Sequence, residues 1–364
     1  MKTIRTILTI AWFEMLILFR SWFFRIFSGL VLLFLFAMNL AMLGETSGNW
    51  AVKSIASNIP YYNILFLSIS QTFIAMFLAL DFLKRDKKLD TSEVIYTRSM
   101  TNWSYVWGKT FGILAVFLVL TLLVLTLALI LNLVMQDIAV DWLAYIYYPL
   151  LITIPSLIFV LGLSFLVMSL VKNQAIALVI LLGYTGLILF FGKDRGDYVF
   201  DFIGSLLPMV HSDLIGFGFE WRLLLQRLIY LVLGLSFISA SILLLKRLPQ
   251  SRFLSAAAWM MTISFAVIAA GGIFYYSSTA KGDQEYRAEL IALNDQHDNI
   301  AVLSLGHCDL SIDHKGRELS ISANMELSNP SANPVERTVI NLNPGFKVTT
   351  LEVEGKKPDY EQKE

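Results

Sequence analysis

The chain has 364 residues, of which 56% are hydrophobic and only 15% are charged. This balance excludes an ordinary soluble domain, in which about a quarter of the residues carry a charge. Acidic and basic residues number 28 each, and the basic ones stand at the ends of apolar runs instead of forming the basic face that binds nucleic acid. The single cysteine, Cys308, excludes an intrachain disulfide framework and a multi-cysteine zinc site.

The first segment, residues 3–19, is apolar but carries Arg5 and Glu14. It does not match a cleavable signal peptide, because the first long apolar run begins only after Arg20 and Arg25. A helix lying in the inner membrane interface would keep both arginines out of the hydrocarbon. The alternative is that the segment lengthens a tilted first span.

Seven apolar runs follow, each close to the roughly 17–25 residues that cross a bilayer as a helix. They cover residues 26–43, 61–82, 110–135, 143–171, 175–191, 228–245 and 253–277. None has a charged residue at its centre, whereas ion-driven carriers use such residues as proton relays or ion paths. The sequence therefore predicts an all-α polytopic membrane bundle and disfavours a secondary carrier.

Lysine and arginine are unevenly distributed between the two sides of these runs. With the N-terminus inside, the inner loop after the second span is strongly basic, and the short outer loops carry few positive charges. The basic residues at the start of that inner loop are Lys84, Arg85, Lys87 and Lys88. By the positive-inside rule, we expect a cytoplasmic N-terminus and, after seven spans, an external C-terminal region.

The inner loop at 84–107 combines charge with exposed apolar residues. Asp90 or Thr91 is suited to cap a short helix with Glu93 in its first turn, and Asn102 is suited to cap the third span. Apolar side chains on such a loop suit docking on another protein, and the alternative is a solvated hairpin that only enforces topology. The candidate docking residues are Thr91, Glu93, Val94, Ile95, Tyr96, Arg98, Trp103 and Lys109.

The order of residues in this loop resembles that of ABC transporter permeases of the type-2 exporter class. Thr91-Ser92-Glu93, Val94-Ile95-Tyr96 and Gly108-Lys109 occupy the corresponding positions, and Arg98-Ser99-Met100 stands where the family commonly has proline. The resemblance covers about residues 1–250. It implies an N-terminal interfacial helix, a six-span permease core, and short helices that dip into the outer leaflet between spans five and six.

The same resemblance implies how transport would be driven. Gly108-Lys109-Thr110 matches only the end of a phosphate-binding loop, because Trp103 occupies the earlier glycine position. We therefore expect no catalytic residue, cofactor or metal in this chain, with ATP and magnesium bound by a separate ATPase subunit. The resemblance also implies a second permease half, as a homodimer or heterodimer, in the bacterial cytoplasmic (inner) membrane.

Two groups of polar residues are candidates for the transport route. Ser68, Ser70, Gln71 and Thr72 on the second span would line a path, or would form hydrogen bonds between helices. Between spans five and six, residues 192–221 contain two short apolar pieces separated by Pro208, His211 and Asp213. These pieces predict re-entrant helices, or else an amphipathic loop. His211 with Asp201 or Asp213 is a weak metal-site candidate, and a hydrogen-bonded loop histidine is the more ordinary interpretation.

From Ser278 onward the pattern changes from apolar runs to a charged connector and then to alternation typical of strands. Predicted strands over 308–312, 319–327, 335–343 and 347–353 indicate a small external β-sandwich-like region, and the polar end after Gly355 favours a truncated domain. Residues 319–345 resemble the opening β-domain of gluzincin-type zinc aminopeptidases. The sequence lacks His-Glu-x-x-His, so peptidase catalysis is not assigned to it.

Two functions remain open from sequence. The first is a multi-pass transport subunit, the permease half of an ATP-driven exporter. The second is a membrane anchor for an external aminopeptidase-like or binding module. The predicted division is a permease core at 1–250, a seventh transmembrane helix at 251–280 and an external β-rich domain at 281–364.

Overall fold

The computed structural model describes most of the chain. The described residues are 2–43, 55–88, 100–135, 140–192, 198–207, 209–211, 220–245, 252–296, 300, 303–316, 318–330, 333–343 and 345–362. The fold is mostly helical, at 72%, with a small two-stranded antiparallel sheet near the C-terminus. It divides into two units, Met1–Lys281 and Gly282–Glu364, and the division falls within one long helix.

Helices occupy nearly all of the first unit. They are α1 (Lys2–Arg20), α2 (Trp22–Leu43), α3 (Asn58–Lys88), α4 (Asn102–Met135), α5 (Trp142–Tyr148), α6 (Ile154–Val171), α7 (Gln174–Phe191), α8 (Glu220–Leu244) and α9 (Arg252–Asp295). A π-helical turn, Pro149–Thr153, joins α5 to α6. Pro155 lacks the N–H that would continue the α-helical ladder there, which accounts for the local change.

Seven helical segments in the described part of the chain are long and apolar enough to cross a membrane, which confirms the predicted multi-span architecture. They are Trp22–Leu43, Asn58–Asp81, Asn102–Val134, Trp142–Val171, Gln174–Phe191, Trp221–Leu244 and Arg252–Asp295. Each overlaps one predicted run. The third begins at Asn102 instead of 110, because Trp103 and Trp107 extend the helix before its apolar centre.

The N-terminal segment is a helix of its own. The helical pattern is interrupted at Ser21, and the side chain of Arg25 donates to the carbonyl of Phe19 at 2.8 Å, which closes the junction. Helix α1 packs along α4 much more than along α2. The alternative in which the segment merely lengthens the first span is therefore wrong.

The most extensive packing between two spans joins α6 and α8, and it depends on two glycines. A Cβ atom at Gly162 would lie 2.4 Å from the carbonyl oxygen of Gly234, and one at Gly234 would lie 2.6 Å from the backbone nitrogen of Phe159. Backbone-to-backbone packing of this kind is how small residues hold membrane helices together. Helix α3 fills the middle of the bundle, in contact with α4, α6 and α7.

In the second unit, β1 (Ser304–Lys315) pairs antiparallel with β2 (Glu318–Ser328), with an irregularity between Leu305 and His307. The half-buried residues of the hairpin, Cys308 and Met325, are partners across the strands. The predicted strands at 335–343 and 347–353 are wrong, since those residues form no ladder beyond one bridge, Val353 with Lys356. The described part of this unit is therefore a hairpin and not a sandwich.

Candidate functional site: the α1–α4 junction and the outer segment

A buried ion pair joins the N-terminal helix to the start of the third span. Nζ of Lys109 on α4 lies 2.5 Å from Oε2 of Glu14 on α1, and both side chains are less than a tenth exposed. Such a pair is costly to desolvate and is strongly destabilised when one partner is removed. It therefore ties α1 to the residues that directly follow the predicted docking loop.

Two glycines allow α1 to come close enough for this pair. A Cβ at Gly108 would lie 2.6 Å from Cβ of Ile10, and one at Gly112 would lie 2.8 Å from the carbonyl oxygen of Ala11. The spacing Gly108-x-x-x-Gly112 is the small-residue pattern of close helix packing in membranes. Sequence reasoning missed this contact, although the glycine spacing was a readable signal for it.

The third span is capped differently from the prediction. The hydroxyl of Thr101 accepts a hydrogen bond from the backbone N–H of Ser104 at 3.1 Å, so Thr101 is the N-cap. The predicted cap, Asn102, instead donates through Nδ2 to the carbonyl of Leu245 at 2.8 Å. This bond fixes the start of α4 to the residue after α8, and the prediction for Asn102 is wrong because a longer-range acceptor is available.

The predicted docking residues fall into two groups. Thr91, Glu93, Val94, Ile95, Tyr96 and Arg98 lie outside the described residues. Trp103 is half-buried and starts an aromatic row, with ring centroids 6.0 Å from Trp107, which in turn stacks 5.5 Å from Phe111. Lys109 is buried against Glu14, so it does not present its ammonium group on a surface. Lys109 thus forms an ion pair within the chain, and its role in coupling to an ATPase subunit stays a prediction.

The candidate pathway residues on α3 bind their own helix. Ser70 donates to the carbonyl of Phe66 at 2.9 Å, and Thr72 donates to that of Ser68 at 2.8 Å. Gln71 is buried, with Nε2 at 3.4 Å from the hydroxyl of Ser68. These bonds run within α3, so they are not the predicted bonds between helices, and Ser68, Gln71 and Thr72 lie inside the bundle of one chain.

A hydrogen bond between spans does occur, and it joins two asparagines, one on α2 and one on α3. Nδ2 of Asn39 on α2 donates to Oδ1 of Asn63 on α3 at 2.8 Å, and Nδ2 of Asn63 donates back at 2.9 Å. Both residues are buried, and each also donates to a carbonyl of its own helix. The side-chain oxygen and nitrogen of both asparagines thus each have at least one hydrogen-bond partner in the apolar bundle.

The outer segment before α8 is fixed by side chains and not by helical hydrogen bonds. Its described part, residues 198–207 and 209–211, consists of turns and bends, so the first predicted re-entrant helix is not present there. The second predicted piece, up to residue 219, lies outside the described residues. Phe202 and Ile203 are nonetheless fully buried, and the hydroxyl of Ser156 on α6 donates to both of their carbonyls at 3.0 Å. Pro208 and Asp213 lie outside the described residues.

Arg227 and Asp201 organise this segment, and no motif or periodicity in the sequence predicts their contact. Nη2 of Arg227, wholly buried on α8, donates to the carbonyl of Asp201 at 2.6 Å, and Nη1 donates to that of Phe202 at 3.2 Å. The carboxylate of Asp201 accepts from the backbone N–H groups of Gly204 and Leu206 at 2.9 and 2.7 Å. Backbone groups that a helix would have satisfied internally are satisfied here by charged side chains.

His211, in the same segment, is hydrogen-bonded to residues in or next to α3 and α5. Its Nδ1 lies 3.1 Å from Oδ2 of Asp141, and its backbone N–H donates to the hydroxyl of Tyr148 at 3.0 Å. The hydroxyl of Ser57 donates to the carbonyl of His211 at 2.5 Å. Among the described residues no group of three or more metal-ligating side chains occurs, and His211 pairs with Asp141 instead of Asp201. The hydrogen-bonded loop histidine is the interpretation that fits.

Compared with known proteins, the sequence matches no family model and no curated protein.

Proposed function

We propose that this chain is the membrane-spanning subunit of an ATP-driven exporter of the type-2 ABC class. In this proposal a separate ATPase subunit binds ATP and magnesium and docks on the loop at 84–107. A second permease half, identical or related, completes the transport path. The chain would lie in the bacterial cytoplasmic membrane with its N-terminus inside.

The observation that carries the proposal is the ion pair between Glu14 and Lys109. A transport subunit moved by a partner needs a rigid connection between the docking loop and the spans, because the coupling is a rigid-body movement. Helix α4 starts directly after the loop, and its first turns are joined to α1 by the ion pair and to the end of α8 by Asn102. A push on the loop would therefore move three helices together.

The outer segment fits the same proposal. The backbone carbonyls of residues 201–203 accept hydrogen bonds from Arg227 on α8 and from Ser156 on α6. These are the two described spans that pack on each other most extensively. A change in the angle between α6 and α8 would shift both sets of donors and so move the segment at the outer end.

The test is to co-express the full chain with a candidate ABC ATPase subunit from the same genome, purify the two together, and separate docking from coupling. We expect Glu93→Lys and Trp103→Ala to reduce recovery of the ATPase. Glu14→Gln should leave the recovery of the ATPase unchanged. The rate of ATP hydrolysis by this variant complex should, however, no longer change when the complex is reconstituted in liposomes. Unchanged recovery with both loop variants, or uptake by the chain alone driven by a sodium or pH gradient, would contradict the proposal.

A second candidate, the membrane anchor, is favoured by the external hairpin. Leu310 and Ile312 of β1 and Ile321 of β2 lie on the same face of the sheet, and each is more than 40% exposed. An apolar sheet face suits a binding module. The anchor requires no ATPase, so a chain that functions normally when no ATPase associates with it would support this candidate over the first.

A further inference from the structure

The outward side of α1 forms a groove with the third span. The groove has a volume of about 720 Å³ and is lined from α1 by Ile4, Leu8, Trp12 and their neighbours, with Ala115 contributed by α4. Ile4, Leu8 and Trp12 are each more than half exposed. Their spacing of four residues places them in one row along the helix.

The shape of this groove follows from how α1 packs. Its opposite side, which includes Ile10 and Glu14, is pressed against Gly108 and Gly112 of α4. Between the contact and the exposed row lie the small side chains of Ala11 and Ala115, which leave the groove open. An apolar groove along a membrane helix suits a hydrocarbon chain.

Charge at the groove indicates what is attached to that chain. Arg5 lines the groove, and no acidic residue does so. Among the described residues, no carboxylate forms an ion pair with Arg5, and the nearby hydroxyl of Thr9 is occupied by donation to the carbonyl of Arg5 at 2.8 Å. The exposed guanidinium is thus available for a phosphate, which arginine binds with two parallel hydrogen bonds.

We propose that this groove binds one anionic glycerophospholipid of the surrounding bilayer, with an acyl chain along Ile4, Leu8 and Trp12 and its phosphate on Arg5. Trp12 lies two turns along α1 from Arg5, about 10 Å away, so its ring would contact the acyl chain. Basic pockets between membrane helices are known to select anionic lipid headgroups. The bound lipid would fill the groove on the exposed side of α1. It would thereby support the contact between Glu14 and Lys109 on the opposite, buried side of the same helix.

The experiment is native mass spectrometry of the full detergent-purified chain with defined amounts of phosphatidylglycerol or phosphatidylcholine. Arg5→Gln removes the cation, and Arg20→Gln is its matched control, an exposed arginine on the same helix outside the groove. Ala115→Leu fills the floor. Leu8→Ser, at an exposed position, removes part of the apolar wall without disturbing the interior. Each variant is first shown to unfold at the wild-type temperature.

We expect the wild type and Arg20→Gln to retain phosphatidylglycerol over phosphatidylcholine. Arg5→Gln should lose about fivefold in retention of phosphatidylglycerol and none for phosphatidylcholine. Ala115→Leu and Leu8→Ser should lower retention of both lipids. Equal retention by Arg5→Gln and Arg20→Gln would overturn the proposal. So would loss of a dimer in Ala115→Leu with lipid retention unchanged, because a second copy of the chain would then cover the groove.

Discussion

Arg227 holds Asp201 by its backbone: Nη2 lies 2.6 Å from the carbonyl oxygen of a residue 26 positions earlier in the chain. Nε of the same guanidinium donates to the side chain of Gln226, whose amide in turn donates to the carbonyls of Tyr198 and Asp201. A single planar group therefore fixes a non-helical segment inside a membrane bundle. Such a segment is tolerated there only when protein groups satisfy its backbone.

We expect Arg227→Met to lower the free energy of unfolding by about 2–5 kcal/mol, because the carbonyls of Asp201 and Phe202 lose charged donors in an apolar surrounding. Arg227→Lys should recover only part of this, since an ammonium group cannot reproduce the planar fork. Thermal unfolding in detergent measures both. Arg222→Lys, on the same helix but only half-buried, is the control. Equal midpoints for the two lysine variants would show that the fork is not needed.

The ion pair between Glu14 and Lys109 predicts a specific pattern of non-additivity. Glu14→Gln or Lys109→Met alone should cost about 3–5 kcal/mol, because each leaves a buried charge without its partner. Glu14→Gln with Lys109→Met should cost less than the sum of the same two single changes by about 0.5–3 kcal/mol. A double-mutant cycle of unfolding free energies gives this coupling. Arg20→Met, an exposed change on the same helix, should be nearly neutral, and purely additive costs would refute the coupling.

Features set by local pattern could be predicted from the sequence, and features set by distant partners could not. The spans follow from apolar run length, and the separate helix α1 follows from Arg20 and Arg25 lying before the first run. The partner of Lys109 is 95 residues away, and no periodicity indicates Glu14. The Gly108-x-x-x-Gly112 spacing would have indicated the contact but not the helix that makes it.

The predictions for the segment before α8 and for the C-terminal region were wrong for related reasons. Residues 201–207 have helix-like apolar content, but Asp201 and Arg227 bind their backbone groups and so replace helical hydrogen bonds. Near the C-terminus, the N–H of Val348 and the carbonyl of Phe346 bind the side chain of Gln362 instead of a neighbouring strand. In both places side chains compete with regular backbone pairing, and this competition is invisible to alternation and run length.

The reciprocal amide pair between Asn39 and Asn63 should stabilise the bundle modestly. Hydrogen bonds between membrane helices contribute about 0.6 kcal/mol on average, because the unfolded helices in the membrane also find partners. We expect Asn39→Leu to cost about 1–2 kcal/mol, since Asn63 then keeps polar groups without a partner, and Asn39→Leu with Asn63→Leu to recover most of this. Unfolding midpoints in detergent test the order. A double variant less stable than either single one would contradict it.

Adding a methyl group should have opposite effects on stability at two glycines, one packed between α6 and α8 and one on the open side of α7. A Cβ at Gly234 would lie 2.6 Å from the backbone nitrogen of Phe159 and 2.7 Å from the carbonyl oxygen of Ile158, and backbone cannot move aside as a flexible side chain can. We therefore expect Gly234→Ala to cost about 1–3 kcal/mol through overpacking. At Gly183 on α7 nothing lies within 4 Å of a Cβ. Gly183→Ala should stabilise the helix by about 0.5–1 kcal/mol.

Thermal unfolding of both alanine variants, purified side by side, measures this difference directly. The two changes add the same methyl group to a membrane helix, so helix propensity cancels and packing alone decides the sign. Under the proposed exporter function, Gly234→Ala should also slow transport, because it separates the two spans that grip residues 201–203. If Gly234→Ala proved as stable as Gly183→Ala, α6 and α8 would not be in backbone contact, and the link between them and the outer segment would have to be abandoned.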